Sequence, residues 1–262
     1  MMVSQYLGPG NWSTPKWFYH PGFIPWRTKA IDDVPYLIAY VGGENIYNFK
    51  PAPIEVHWLT TQDGINWEPV VPGKPVVLSG GCSETDFVFL DDGSLIAACR
   101  NEAGDELGWG SKICTASASD LGKWECVADP KKYDSLLMFR HNSDVYLIGR
   151  RNLTRTGNYD LGFDRLPKTM QTLIYQLHYW VNPKRCSLWK VDPDKLDVHF
   201  VLDFPSSGDT CFPGIVAQSD NSYFVYNYTS PVEQEDLSWV KGQLGPTMIY
   251  RILLKFPDHL SQ

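Results

Sequence analysis

Basic runs are missing from this chain. Its 23 Lys and Arg are scattered among 30 Asp and Glu, for a formal net charge of -7 over 262 residues. With no basic stripe to neutralise phosphates, nucleic acid is not an expected partner. Long apolar runs are missing as well. No stretch approaches the roughly 20 apolar residues that span a bilayer, so no membrane partner is expected. The opening Met1-Met2-Val3-Ser4-Gln5-Tyr6 has neither the basic nor the apolar region of a leader. A cytoplasmic location is expected if Met1 is the native start, and a secreted one if a leader has been removed.

Several chemical signatures are absent. No Cys-x-x-Cys occurs and the six His show no ligand spacing, so no metal is expected. There is no Gly-x-Ser-x-Gly elbow and no phosphate-binding glycine loop before a helix, so no cofactor is expected. Gly108-Trp109-Gly110-Ser111-Lys112 runs into a strand and reads as a hairpin connection. The six cysteines stand at 82, 99, 114, 126, 186 and 211. Their even number allows disulfides, but Cys99 and Cys114 lie inside apolar strand patterns, so buried free thiols are the expectation.

Helical periodicity is scarce too. What is present is a series of short apolar runs broken by Gly, Pro, Asn and Asp, rich in Trp, Tyr and Phe, which is an all-β pattern. Four segments read as hairpins. They are Phe23 to Val41 turning at Asp32-Asp33, Asp86 to Arg100 turning at Asp91-Asp92-Gly93, Leu136 to Arg150 turning at His141 to Asp144, and Cys211 to Tyr228 turning at Ser219 to Ser222. Each is followed by further strands, among them Ile54 to Thr61, Lys112 to Ser117, Leu173 to Tyr179, Ser187 to Val191 and Met248 to Phe256. A hairpin plus a further strand pair makes one four-stranded antiparallel blade.

Two turns repeat 57 residues apart. Thr61-Gln62-Asp63-Gly64-Ile65-Asn66-Trp67 and Ser117-Ala118-Ser119-Asp120-Leu121-Gly122-Lys123-Trp124 both lead into Glu. A period of roughly 50 residues indicates a propeller-like array. At that period the chain is expected to form a single five-bladed, alternatively six-bladed, β-propeller over residues 1–262. Trp12 to Tyr19 is expected to pair with the C-terminal strand and close the fifth blade, removing exposed edges. The stretch around 152–170, with Arg155 and Arg165, reads as an insertion loop, and such loops are often functional.

The hairpin phase places charged residues at equivalent points. Pro25-Trp26-Arg27 opens the first hairpin. Ser83-Glu84-Thr85-Asp86 enters the second and Arg100-Asn101-Glu102 leaves it. Arg150 leaves the third, Asp209 precedes the fourth and Tyr228 leaves it. Arg27, Glu84, Arg100, Arg150 and Asp209 are therefore expected to converge. Arg suits bidentate capture of a carboxylate or a hydroxyl array. Two facing carboxylates serve as acid and base or nucleophile on a glycosidic bond, and a Tyr replaces the nucleophile in sialidases. Glu84 and Asp209 are the leading acid/base candidates, with Glu102 and Tyr228 in reserve. Arg27, Arg100, Arg150, Trp26 and Asp86 are the candidate substrate contacts.

The two Trp turns resemble degenerate Asp-boxes, the Ser-x-Asp-x-Gly-x-x-Trp turns of sialidases. Pro25-Trp26-Arg27, Glu84 with Asp91-Asp92-Gly93, Arg100-Asn101-Glu102, Gly149-Arg150 and Gly208 to Gly214 resemble, in order, the sialidase-like propellers with bacterial neuraminidase repeats. The resemblance implies a glycosidase-like protein binding, and hydrolysing, a carbohydrate at the axial cleft. Its Asp63 and Asp120 fall on outer-strand turns, away from that cleft. A non-catalytic propeller binding a glycan or protein is one alternative, and a divergent propeller enzyme acting on a non-sugar small molecule is another.

Overall fold

The computed structural model describes residues 2–45, 53–233 and 235–257. The N-terminal segment forms two small ladders. Strands β1 (Met2–Val3) and β4 (Lys16–Trp17) pair with each other, as do β2 (Tyr6–Gly8) and β3 (Asn11–Trp12). The first large sheet contains β5 (Ile24–Ile31), β6 (Val34–Val41), β7 (Ile54–Thr60) and β8 (Glu68–Pro69), with β9 (Val76–Gly80) also on β7. The second is β10 (Cys82–Phe89), β11 (Leu95–Asn101), β12 (Lys112–Ala116) and β13 (Glu125–Ala128). The third is β14 (Asp134–His141), β15 (Asp144–Asn152), β16 (Lys184–Asp192) and β17 (Asp197–Asp203), with helix α1 (Lys168–Val181) inserted between β15 and β16. The fourth has three strands, β18 (Gly214–Ser219), β19 (Ser222–Thr229) and β20 (Met248–Lys255), with the short helix α2 (Trp239–Gln243) before β20.

All ladders in these sheets are antiparallel, and each sheet begins with the hairpin expected from sequence. Asp32 and Asp33 sit at φ 51° and 61°, the two positive angles of a type I′ turn, which matches the twist of the flanking strands. The alternation of each strand then builds the blade interfaces. On β11, Leu95, Ala97 and Cys99 pack towards the first blade, while Ile96 and Ala98 pack towards the third. Leu137, Phe139, Ile148 and Leu188 of the third blade meet Ile215, Val225 and Leu254 of the fourth. The first strands of all four blades line one cavity, which marks the propeller axis.

The described residues form an all-β propeller of four blades, not five or six. The expected fifth blade fails because the N-terminal strands pair among themselves. Phe18 then packs on Leu37, Ala39 and Leu59 of the first blade, so the segment covers that blade's face instead of reaching β20. The outward face of the fourth blade stays exposed, with Val216 and Leu253 about half accessible.

Two further expectations are corrected. Leu173 to Tyr179 lies in α1, not in a strand. The run between Pro167 and Pro183 offers straight-chain helix formers with Tyr175 and Tyr179 on one buried face, and Pro167 is tolerated at the cap because it needs no N–H partner there. The cysteines are not free thiols. They form Cys82–Cys99 and Cys114–Cys126 within the second blade and Cys186–Cys211 between the third and fourth. Directly opposed strand positions, such as Cys114 and Cys126, bring the sulfurs together, a pairing that apolar patterning does not reveal.

The two Trp turns join the third strand of a blade to its outer strand. Asp63 Oδ1 accepts from the N–H groups of Ile65 and Asn66 at 2.8 and 2.7 Å, and Thr61 Oγ1 accepts from Gly64 N–H at 3.0 Å. Trp67 packs on Phe18, and Trp124 lies in the core 6.0 Å from Trp58.

Candidate functional site

The site begins where the inner strands start. Glu84 lies in a register shift between Cys82 and Thr85 at the head of β10, and Asp134 pairs with Arg150 just before a similar shift at the head of β14. Arg100, near the end of β11, lies between them. Its Nη1 donates to Glu84 Oε1 at 2.7 Å, its Nη2 is 3.3 Å from Glu102 Oε1, and its Nε is 3.0 Å from Asp134 Oδ1. Glu84 Oε2 also accepts from Ser135 N–H at 2.7 Å. Three carboxylates from two blades thus surround one guanidinium, and all three are buried.

A second cluster forms between the third and fourth blades. Arg150, near the end of β15, donates to Tyr228 Oη at 3.0 Å and lies 3.3 Å from Asp209 Oδ1. The Tyr228 hydroxyl donates to Asp209 Oδ1 at 3.0 Å, and Gln243 of α2 donates to Asp209 Oδ2. Arg150 Nε donates to the Thr210 carbonyl. Helix α1 joins the two clusters. Tyr179 accepts from Arg150 Nη1 and hydrogen-bonds the Asp134 carboxylate.

Burial and charge act differently on the two carboxyls beside Arg100. Burial raises Glu84 above the ordinary range, opposed by Arg100 and reinforced by Asp134 and Glu102. Burial also pushes Asp134 up, but Arg100, Lys132 and Arg150 outweigh it and hold that carboxyl below its usual value. Burial lowers Lys132 to about 8 and Lys184 to about 7. Lys132 lies 4.2 Å from the Tyr159 ring centroid, and Lys184 donates to the carbonyls of Tyr179 and Asn182. Burial raises Tyr228 to about 12, with Asp209 adding to it, which disfavours the phenolate a nucleophilic role requires.

The structure therefore brings together Glu84, Arg100, Glu102, Arg150, Asp209 and Tyr228. It does not bring Arg27, Asp86 or Trp26 into this network. Arg27 donates to the Leu136 and Pro213 carbonyls, tying inner strands together across the axis. Asp86 accepts from Met138 N–H and pairs with Lys29, both at 2.7 Å. The Trp26 ring packs edge-on against Phe212, 5.0 Å away. A side chain two residues further along the inner strand belongs to the next level of the axis, which explains why Asp86 and Glu84 part company.

Asp134, Lys132 and Tyr179 escaped the sequence reading. Asp134 had a legible signal, since Lys132-Tyr133-Asp134-Ser135 precedes the third inner strand as Ser83-Glu84-Thr85-Asp86 enters the second. Tyr179 had none, because its place depends on the insertion folding as a helix over the blade ends. Among the described residues no group of three or more His, Cys, Asp or Glu is arranged to hold a metal ion.

No family model and no curated protein matches this sequence. Solved structures do. A protein of unknown function from Dyadobacter fermentans DSM 18053 superposes with a TM-score of 0.59 at 13% identity, over 98% of this chain and 64% of the other. A thermostable family-43 glycoside hydrolase gives 0.50 at 10% identity, over 89% and 68%. An endo-arabinase from Bacteroides thetaiotaomicron VPI-5482 gives 0.47 at 8% identity, over 89% and 74%. The chain thus spans just under two thirds of the Dyadobacter protein's length. At such identities the likeness is one of fold, a β-propeller whose architecture glycoside hydrolases also use.

Proposed function

We propose that this protein is a glycosidase-like propeller that binds and hydrolyses a carbohydrate at the strand-start end of its axis. The observation that carries this reading is the pair of carboxyls on Arg100. Glu84 is held towards its protonated form and Asp134 towards its ionised form, from adjacent blades and beside the same guanidinium. Environments that push two carboxyls apart assign an acid and its ionised partner. Glu84 is the proton donor and Asp134 the base or nucleophile in this scheme. Arg150, Tyr228 and Asp209 form the neighbouring polar wall that holds sugar hydroxyls. Turnover of an aryl-glycoside panel, including a sialoside and an arabinofuranoside, tests it. Glu84→Gln is expected to abolish hydrolysis with the fold intact.

A second reading is a non-catalytic glycan-binding propeller. It is favoured by the engagement of Glu84, Glu102, Asp134 and Asp209 with protein cations, which a substrate would have to displace. Binding of oligosaccharides without turnover is its signature. Three disulfides support an oxidising compartment as the place where either function is exercised.

A further inference from the structure

A cavity of about 750 Å³ occupies the axis nearer the hairpin turns, away from the Arg100 network. All four inner strands contribute to it, with Arg27 and Lys29 from β5, Asp86 from β10, Phe139 and Arg140 from β14, and Gly214 and Ile215 from β18. Arg27 and Lys29 are two residues apart on one strand and so share a face.

Their charges are not balanced. Asp86 is the carboxylate between them, 2.7 Å from Lys29 Nζ and 4.0 Å from Arg27 Nε. Its oxygens are further occupied by the Phe87 and Met138 N–H groups. Glu84, the other acid acting on Arg27, is held by Arg100 and Ser135 N–H. Arg27 meets only carbonyl oxygens through Nη1 and Nη2, and its buried Nε makes no hydrogen bond. Two largely buried cations therefore share one carboxylate. Burial lowers the pKa of both, and Arg27 lowers that of Lys29 further. Nearer the turns, Arg140 is already paired with Asp91 at 2.7 Å, and Asp32 lies on the exposed β5–β6 turn.

The cavity also has room and an apolar wall. A Cβ built on Gly214 would meet nothing within 4 Å, and Phe139, Ile215, Val88 and Leu137 supply hydrocarbon. A carboxylate settled beside Arg27 and Lys29 supplies the missing negative charge, and an apolar body attached to it removes hydrocarbon surface from water.

We propose that this axial cavity is a binding site for a small monocarboxylate with an apolar body, separate from the glycan site. Calorimetry on the full chain with hexanoate and benzoate, beside hexanamide and benzamide, tests it. Saturable binding of the acids is expected, with the amides at least tenfold weaker. Arg27→Gln is expected to weaken acid binding at least tenfold. Because Arg27 also ties Leu136 and Pro213 together, Gly214→Leu provides an independent check by filling the cavity from an open wall, and is expected to abolish binding. Absence of acid binding at millimolar concentration, equal binding of acids and amides, or unchanged binding in Gly214→Leu overturns the proposal. Loss of glycoside turnover in Glu84→Gln bears only on the other site.

Discussion

The Tyr179 hydroxyl accepts a hydrogen bond from Arg150 Nη1 at 2.5 Å, and so fastens the inserted helix to the end of an inner blade strand. The same hydroxyl reaches Asp134. Removing it leaves a buried guanidinium donor and a buried carboxylate each short of a partner, which costs about 1–3 kcal/mol. Tyr179→Phe is therefore expected to lower the unfolding free energy by that amount, read as a lower urea midpoint. It is also expected to raise the Asp134 pKa, since a hydrogen bond to the charged form is lost. An unchanged midpoint would show that the helix rests on its apolar contacts with Trp109 and Tyr159 alone.

Lys184 makes stability depend on pH with a defined sign. Its folded value, about 7, lies below the ordinary 10.5 because of burial. The unfolded chain binds more protons between those values, so the contribution of Lys184 grows as pH rises and is lost as pH falls through about 7. The destabilisation caused by Lys184→Met is expected to be larger at pH 9 than at pH 6, by roughly 2–3 kcal/mol. Denaturant melts of both proteins at the two pH values measure this, and a difference independent of pH would exclude it.

The Cys186–Cys211 bond connects the third and fourth blades. Without it the fourth blade depends on one apolar interface, because its outward face is open. A Cys186→Ala/Cys211→Ala variant is expected to lose about 2–4 kcal/mol. Alkylation followed by intact-mass measurement should find no reactive thiol before reduction and six after it.

Asp63 presents a smaller test. The N–H groups of Asn66 and Ile65 hold its carboxyl at about 2. Its contribution is present above the ordinary carboxylate range and lost only as pH falls through about 2. An NMR titration of its side-chain carboxyl should place the midpoint there, and a midpoint near 3.8 would mean that the turn hydrogen bonds do not persist in solution.

Local signals in this chain reported what local physics determines. The four hairpins were legible because Asp32-Asp33 and Asp91-Asp92-Gly93 punctuate apolar runs with residues suited to tight turns. The convergence of Glu84, Arg100 and Arg150 followed from the same phase. The blade number did not, because whether Trp12 joins β20 or Tyr6 is a competition between distant and nearby strands. The separation of Asp86 from Glu84 also escaped, since a two-residue step along β10 moves a side chain from the site to the channel. Asp134 was within reach, because it stands at the head of the third inner strand as Glu84 stands at the head of the second.

The most direct measurement is hydrolysis of the aryl-glycoside and oligosaccharide panel by wild type, Glu84→Gln and Asp134→Asn, each checked for an intact fold by its thermal transition. Expected is turnover of at least one glycoside by the wild type, with rates reduced about 100-fold or more in both variants. Full activity in either correctly folded variant would contradict the acid and partner assignment, and no turnover of any glycoside by the wild type would contradict the enzymatic reading itself.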